Sequence, residues 1–138
     1  MDDSLDRVLA AARAASEKLA EDIIILDVQS LIGITDYFVI CSGRNERQVQ
    51  TILEEIEKRL LEGEPACKPF RREGEHQLRW VLLDYGDFVV HIFHAEERKY
   101  YELERLWKDA NRIPPDPDEA PSIPLPEEDD LEPVWGTA

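Results

Sequence analysis

Hydrophobic positions along the chain follow helical spacing in some segments and strand-like spacing in others. Apolar side chains recur every third or fourth residue across Ser4–Ala20 and Glu46–Leu61, which predicts two amphipathic helices. Two short β-branched runs, Asp22–Val28 and Asp36–Ser42, lie between these helices and predict buried strands. A third helical pattern begins at Ala95. Helices and strands therefore alternate along the chain, which is typical of a layered α/β or α+β domain.

The densest strand-like stretch is Arg79–His94, where two apolar runs flank the turn sequence Asp84-Tyr85-Gly86-Asp87. Gly86 can take a positive φ, and the two Asp side chains can bond the turn backbone, so the stretch predicts a β-hairpin. A loop with one short strand near Phe70–Arg72 precedes it. The pattern as a whole predicts a mixed sheet of four or five strands with its helices packed mainly on one face.

Charge divides the chain into two regions. The formal charge is -15, and all 16 Lys and Arg residues lie within residues 1–112. Residues 113–138 carry eight acids, no base and several prolines, which predicts a flexible acidic tail after a domain spanning residues 1–112. The negatively charged phosphate groups of DNA repel a chain of this acidity, so direct DNA binding is disfavoured. Proteins with basic surfaces are the expected partners.

The composition also limits where the protein acts. No run approaches the ~20 apolar residues that a membrane span requires, and the first residues are acidic where a secretory signal would be basic. Cys41 and Cys67 have neither zinc-site spacing nor the density of a disulfide scaffold. We therefore expect a cytoplasmic protein with two free thiols and no membrane contact.

The most enzyme-like feature is Ser42-Gly43-Arg44-Asn45, a glycine-containing turn between a strand and a helix, where backbone amides can hold a phosphate. It lacks the lysine of a Walker loop and the further glycines of a dinucleotide fingerprint. A tight strand-to-helix connection explains it more simply. A divergent nucleotidyltransferase-like enzyme or nucleotide sensor using this turn remains the alternative function.

Other catalytic chemistry finds little support. Asp84 and Asp87 are three residues apart across a turn, and Asp27 and Asp36 stand alone at strand ends, so none of these acids is expected to chelate a metal by spacing alone. His91 and His94 are also three apart in a strand, which puts them on opposite faces. Neither cysteine nor Ser42 has a base at a motif spacing. We therefore predict no catalytic residues, no cofactor and no metal.

Strand alternation instead suggests a binding surface. Trp80 and Asp84 fall on one side of the first hairpin strand, and Val81 and Leu83 fall on the other, where we expect the helices. On the uncovered side, an aromatic anchor would be rimmed by negative charge, as in a binding site for a basic protein. These candidate contact residues are Trp80, Asp84, Tyr85 and Asp87. Composition alone leaves open that Trp80 is an ordinary core residue.

Several sequence blocks together resemble the ribosomal silencing factor family, also called Iojap-like. They are LDV at Leu26–Val28, ITDYFVICSG at Ile34–Gly43, EG at Glu73–Gly74, WVLLDYGDFVVHIF at Trp80–Phe93 and YELERLW at Tyr101–Trp107. The resemblance covers roughly residues 4–110 and implies a nucleotidyltransferase-like topology without its catalytic carboxylates. It adds Asp36, Tyr37 and Glu73 to the candidate contacts.

The resemblance also implies a function. Members of the family bind the fourteenth protein of the large ribosomal subunit, block joining of the small subunit and so repress translation when nutrients are short. Some are linked to large-subunit biogenesis, and members tend to form homodimers. The expected function is therefore a non-enzymatic translation repressor that acts by steric exclusion.

Overall fold

The computed structural model describes residues 3–101 and 110–115, and within them a mixed sheet of six strands is flanked by helices. The helices are α1 (Asp3–Glu17), α2 (Gln29–Ile32), α3 (Glu46–Leu61) and α4 (Ala95–Tyr101). The strands are β1 (Glu21–Asp27), β2 (Tyr37–Gly43), β3 (Arg71–Glu73), β4 (Trp80–Asp84), β5 (Phe88–His94) and β6 (Asn111–Ile113). The α+β class with a mixed sheet is as the sequence predicts.

The strand order is β3-β4-β5-β2-β1-β6, with β2 and β5 paired in parallel and every other neighbouring pair antiparallel. The predicted four or five strands become six because β6 adds to the edge of β1, where Ile113 pairs with Ile25. Three residues show no strand period, so the sequence could not reveal β6. Ile113 therefore belongs to the sheet, although the predicted tail begins at that residue. The rest of the predicted tail, residues 116–138, lies outside the described residues.

Helices α1 and α3 cover one face of the sheet. Four alanines of α1 are fully buried, so this helix can approach the strands and α3 closely. Val81 and Leu83 of β4 are fully buried against this layer, which confirms the prediction that they hold the helices. Cys41 also points into this core, and burial raises the pKa of its thiol to about 12. Cys41 and Cys67 are both free thiols.

The opposite face is less open than the sequence predicts. It carries its own buried apolar cluster, formed by Leu26, Val28, Phe38, Ile40 and Phe93. Trp80 and Val89 are half-buried and pack against this cluster from the hairpin. Partly accessible apolar side chains on this face therefore occur at the hairpin, and also at Ile24 and Ala110 toward the β1 edge. Within the part of the chain that the structure describes, no helix is long and apolar enough to cross a membrane.

Candidate protein-binding surface

The register of strands β3, β4 and β5 brings several predicted contact residues to one side of the sheet. Paired residues share a face, and Asp84 lies opposite Val89 on β5 and opposite Arg71 on β3. Leu82 lies opposite Glu73 in the same way. We call this surface the β4 face; its residues are Trp80, Leu82, Asp84, Val89, Arg71 and Glu73. Of the seven predicted contacts, Trp80, Asp84 and Glu73 meet here.

Trp80 is held in place by hydrogen bonding and by ring stacking. Its indole Nε1–H donates to Nδ1 of His91 on the neighbouring strand at 3.1 Å. The indole also stacks on Phe93, with ring centroids 5.0 Å apart. Trp80 is half-buried, so one part of the ring packs on the cluster and another part reaches solvent. An aromatic ring fixed in this way loses little conformational entropy when it binds a partner.

His91 is a buried neutral histidine. Only 5% of it is exposed, and Phe38 packs edge-on against its ring with centroids 4.9 Å apart. Because Nδ1 accepts the Trp80 bond, the ring proton resides on Nε2, which has no hydrogen-bond partner within the described residues. Burial lowers the pKa of His91 to about 4. His91 is thus a core histidine whose Nδ1 orients Trp80.

The hairpin turn is built from its own backbone and one aspartate. Gly86 has a φ of +88°, as its place in the turn requires. Oδ1 of Asp84 accepts from the Gly86 amide at 2.9 Å, and the Tyr85 amide donates to the Phe88 carbonyl at 2.9 Å. These bonds close the turn at Gly86 and Asp87. The prediction of turn chemistry at this position is confirmed.

Distant parts of the chain also bond to this turn. Thr35 Oγ1 donates to the Gly86 carbonyl at 2.9 Å, and the Asp36 amide donates to the Asp87 carbonyl at 2.8 Å. Ser4 lies inside α1 rather than before it, and its hydroxyl donates to Asp87 Oδ2 at 3.0 Å. Asp87 is exposed and Asp36 is half-buried, and both acids lie at the turn end of the sheet, where the Asp87 carboxylate is turned toward α1 by its bond with Ser4.

The two predicted tyrosines are not on this surface. Tyr37 and Tyr85 are both buried in the core beneath the helices. Tyr85 stacks on Phe88 with centroids 4.8 Å apart, and burial raises the pKa of its hydroxyl. The signal was available in the sequence, because Tyr85 shares the parity of Val81 and Leu83. Neither tyrosine therefore belongs to the β4 face.

Charge at the β4 face is mainly acidic. Arg71 lies 3.3 Å from Glu73 and 3.6 Å from Asp84 between the closest charged atoms. Both pairs are largely solvent-exposed and contribute little to stability. Within residues 3–101 and 110–115, no ion pair involves Asp36 or Asp87. Two acids at the turn are therefore available to a basic partner.

The alternative site at Ser42–Asn45 is closed by its own side chains. Asn45 Oδ1 accepts from the Gln48 amide at 2.8 Å, and Gln48 Oε1 accepts from the Arg44 amide at 2.7 Å. Asn45 and Gln48 thus form a capping-box arrangement, with the return bond going to the amide of Arg44 instead of Asn45. Ser42 and Gly43 are buried, and Gly43 lies directly against Val49. These features fit a strand-to-helix connection. The described residues also contain no group of three potential metal ligands.

Comparison with known proteins identifies the family. The family model described as ribosomal silencing factor during starvation matches residues 1–133. The chain belongs to the ribosomal silencing factor family. The ribosomal silencing factor RsfS of Bacillus subtilis is 48% identical over 100 residues, which cover 72% of this chain and 83% of that protein.

More distant silencing factor relatives share the sequence and the fold. A protein from Mus musculus, named mitochondrial assembly of ribosomal large subunit protein 1, is 34% identical over 89 residues, covering 64% of this chain and 39% of that protein. A crystal structure of a Chromobacterium violaceum protein superposes with a TM-score of 0.72 and 30% identity, covering 78% of this chain and 88% of that one. The family resemblance inferred from the sequence blocks is confirmed.

In this silencing factor, sequence reasoning missed two exposed apolar residues beside the turn. Ile34 is 87% exposed and Phe70 is 81% exposed. Neither stands out in the sequence, because one sits in a loop and the other precedes a short strand. In the folded chain, the Phe70 ring lies against Gly86, and Ile34 immediately precedes Thr35, which bonds to the Gly86 carbonyl. The high solvent exposure of the two side chains identifies them, whereas the hydrophobic periodicity of the sequence does not.

Proposed function

We propose that this protein is a translation repressor that binds the large ribosomal subunit through its fourteenth protein and blocks joining of the small subunit. Family membership supports this proposal, as does the name of the mouse relative, which refers to assembly of the ribosomal large subunit. The observation that carries it is the oriented, half-exposed Trp80 on an acidic edge of the sheet.

The chemistry of the β4 face suits a basic protein. Trp80, Leu82 and Val89 supply half-exposed apolar surface, and Asp84 and Glu73 stand at its rim. Aromatic residues dominate the binding energy at such interfaces, while charges at the rim mainly raise the association rate. The formal charge of -15 acts in the same direction over longer distances, because ribosomal proteins are mostly basic.

The proposed mechanism is steric exclusion. A standard protein interface covers about 800 Å² on each partner, and a protein held there on the joining face of a subunit would prevent close approach of the other subunit. No bond is made or broken, so the mechanism requires no catalytic residue. The repressor would act in the cytoplasm and would be released when its partner surface is needed for translation.

Self-association and a role in large-subunit biogenesis are finer parts of the same proposal. The half-exposed apolar side chains of Trp80, Leu82 and Val89 support pairing of two free copies through the β4 face. Sedimentation of the free protein and of Trp80→Ala tests the homodimer. A dimer that survives the substitution while large-subunit binding is lost would separate the two surfaces.

Subunit association followed by light scattering tests the central claim. Saturating wild-type protein is expected to prevent joining of purified large and small subunits. Trp80→Ala should weaken large-subunit binding by about tenfold or more, because it removes the central aromatic contact. Asp84→Lys should weaken it more steeply at low salt, since screening shortens the range of charge interactions.

The matched control for charge reversal is Glu62→Lys, an exposed acid at the end of α3 on the helical side of the sheet. It changes net charge by the same amount and should alter binding much less than Asp84→Lys. Thermal unfolding of each variant verifies that it is folded. Unimpaired subunit joining at saturating wild-type protein would refute the proposed function.

A further inference from the structure

The two most exposed large apolar side chains of the described chain, Ile34 and Phe70, lie at the same hairpin turn. A single exposed apolar residue is ordinary on a protein surface. Leu19, for example, is 75% exposed at the end of α1. Ile34 and Phe70 differ from it because each is linked through its own backbone or its neighbour to the turn at Gly86 and Asp87.

Phe70 is exposed yet fixed. Its amide donates to the Asp84 carbonyl at 2.7 Å, which ties the residue to the end of β4. Its ring lies over Gly86, where an added Cβ would come within 2.7 Å of Phe70 Cε2. The absence of a side chain at Gly86 therefore makes room for the ring. A large apolar ring held rigidly in solvent is preorganised for a partner.

Ile34 is presented from the other segment that bonds to the turn. It follows Gly33, which takes a left-handed conformation with φ of +70° at the end of α2. It precedes Thr35, which is buried and bonded to the Gly86 carbonyl. The backbone on one side of Ile34 is thus attached to the same turn that supports Phe70. The side chain itself is 87% exposed.

The charges around these two side chains select the partner. Asp36 and Asp87 lie at the same turn and take part in no ion pair within the described residues. An apolar pair flanked by two available carboxylates complements a basic protein surface with an apolar centre. This turn end adjoins the β4 face, because the Phe70 amide bonds to the carbonyl of Asp84, whose side chain belongs to that face.

We propose that Ile34 and Phe70 are anchor residues of the ribosome-binding surface, so that the basic large-subunit protein contacts the β4 face and continues around the turn end of the sheet. This inference rests on the proposed function and extends it by naming a second part of the interface. Trp80 supplies the anchor on the face, and Phe70 with Ile34 supplies the anchors at the edge.

The test measures binding of the full chain to purified large subunits by cosedimentation. Phe70→Ser and Ile34→Ser should each weaken binding by about tenfold, and the double variant should weaken it further. Leu19→Ser is the matched control, because it removes an equally exposed apolar side chain elsewhere and should change binding by less than about twofold. Since all three side chains are exposed, thermal unfolding midpoints should stay close to wild type.

Each other outcome overturns the inference. If Phe70→Ser and Ile34→Ser behave like Leu19→Ser while Trp80→Ala weakens binding, the turn end is not part of the interface and the proposed function survives. If none of the variants, including Trp80→Ala, affects binding, neither the β4 face nor the turn end is the interface; if the wild-type protein itself does not bind large subunits, the proposed function fails as well. If the two serine variants abolish self-association of the free protein but leave subunit binding intact, the turn end joins two copies of the chain instead.

Discussion

The two faces of the sheet use the same strands for different purposes. On the helical face, the β4 residues Val81 and Leu83 are fully buried in an apolar core. On the β4 face, Trp80, Leu82 and Asp84 alternate with them and are only half-buried. One strand therefore contributes both to the core and to the proposed binding surface, and side-chain parity alone separates the two.

The difference extends to chemistry. The helical face at the hairpin is filled by aliphatic and aromatic side chains, whereas the other face buries the imidazole of His91, whose Nε2 has no hydrogen-bond partner among residues 3–101 and 110–115. Burying a polar group without a hydrogen bond destabilises a fold, so His91 is a poor choice for packing alone. Its hydrogen bond from Trp80 gives it a use, because it fixes the aromatic ring that we place at the interface. At the hairpin, the helical face is therefore fully buried core, and the other face carries the half-exposed side chains of the proposed binding surface.

The largest expected effect comes from two adjacent leucines on opposite faces. Leu83→Ala should lower the free energy of unfolding by about 2–5 kcal/mol, because it leaves a cavity in the core beneath the helices. Leu82→Ala should lower it by about 1 kcal/mol, since Leu82 is only half-buried. Urea denaturation of both variants measures the difference. Equal losses of stability would erase the distinction between the faces.

A second effect concerns pH. The pKa of His91 falls from 6.5 to about 4 on burial, so the unfolded chain takes up a proton before the folded chain does. The stability that depends on neutral His91 is fully present above pH 6.5 and is lost as the pH falls toward 4, by up to about 3 kcal/mol. Protonation would also remove the acceptor at Nδ1 that holds Trp80.

Stability measured between pH 4 and pH 7 tests this expectation. His91→Phe should flatten the pH dependence relative to wild type, because Phe does not titrate. His76→Gln replaces an exposed histidine and should leave the dependence as it is. A pH profile of His91→Phe that overlays wild type would show that His91 is not the responsible group.

The smallest expected effect isolates the bond between Trp80 and His91. Trp80→Phe keeps an aromatic ring but removes the indole N–H, which leaves Nδ1 of His91 unsatisfied and should cost about 1 kcal/mol of stability. Combining it with His91→Phe in a double-mutant cycle should give a coupling energy of similar size. Additive effects in the cycle would mean that the rings touch without orienting one another.

The sequence was sufficient where the information is local. Strand parity placed Trp80 and Asp84 together, opposite Val81 and Leu83, and the turn residues identified the hairpin. The same parity applied to Tyr85 would have assigned it to the core, so that prediction failed through incomplete use of the rule. These successes and this miss all lie within one short stretch.

The rest depends on contacts between distant residues. Serine is a favoured helix N-cap residue, but the Ser4 hydroxyl bonds to Asp87, which is far away in the sequence. Phe70 and Ile34 become neighbours of one turn only through backbone bonds to Asp84 and through Thr35. The strand β6 forms because β1 offers an edge, not because its three residues favour it. Periodicity and local propensity carry no information about such pairings.

The hydrogen bonds from Ser4 and Asp36 to the hairpin turn also determine when, during synthesis of the chain, the turn end of the sheet can form. Ser4 and Asp36 come early in the chain, while Asp87 and the strand that pairs in parallel with β2 come after residue 86. Chain synthesis runs from the N-terminus, so Ser4 and Asp36 can form their hydrogen bonds to the turn only after β5 has been synthesised. A growing chain that has not yet extended through His94 therefore lacks the completed surface that we propose for ribosome binding. If that proposal holds, the protein cannot engage a ribosome before β5 has been made.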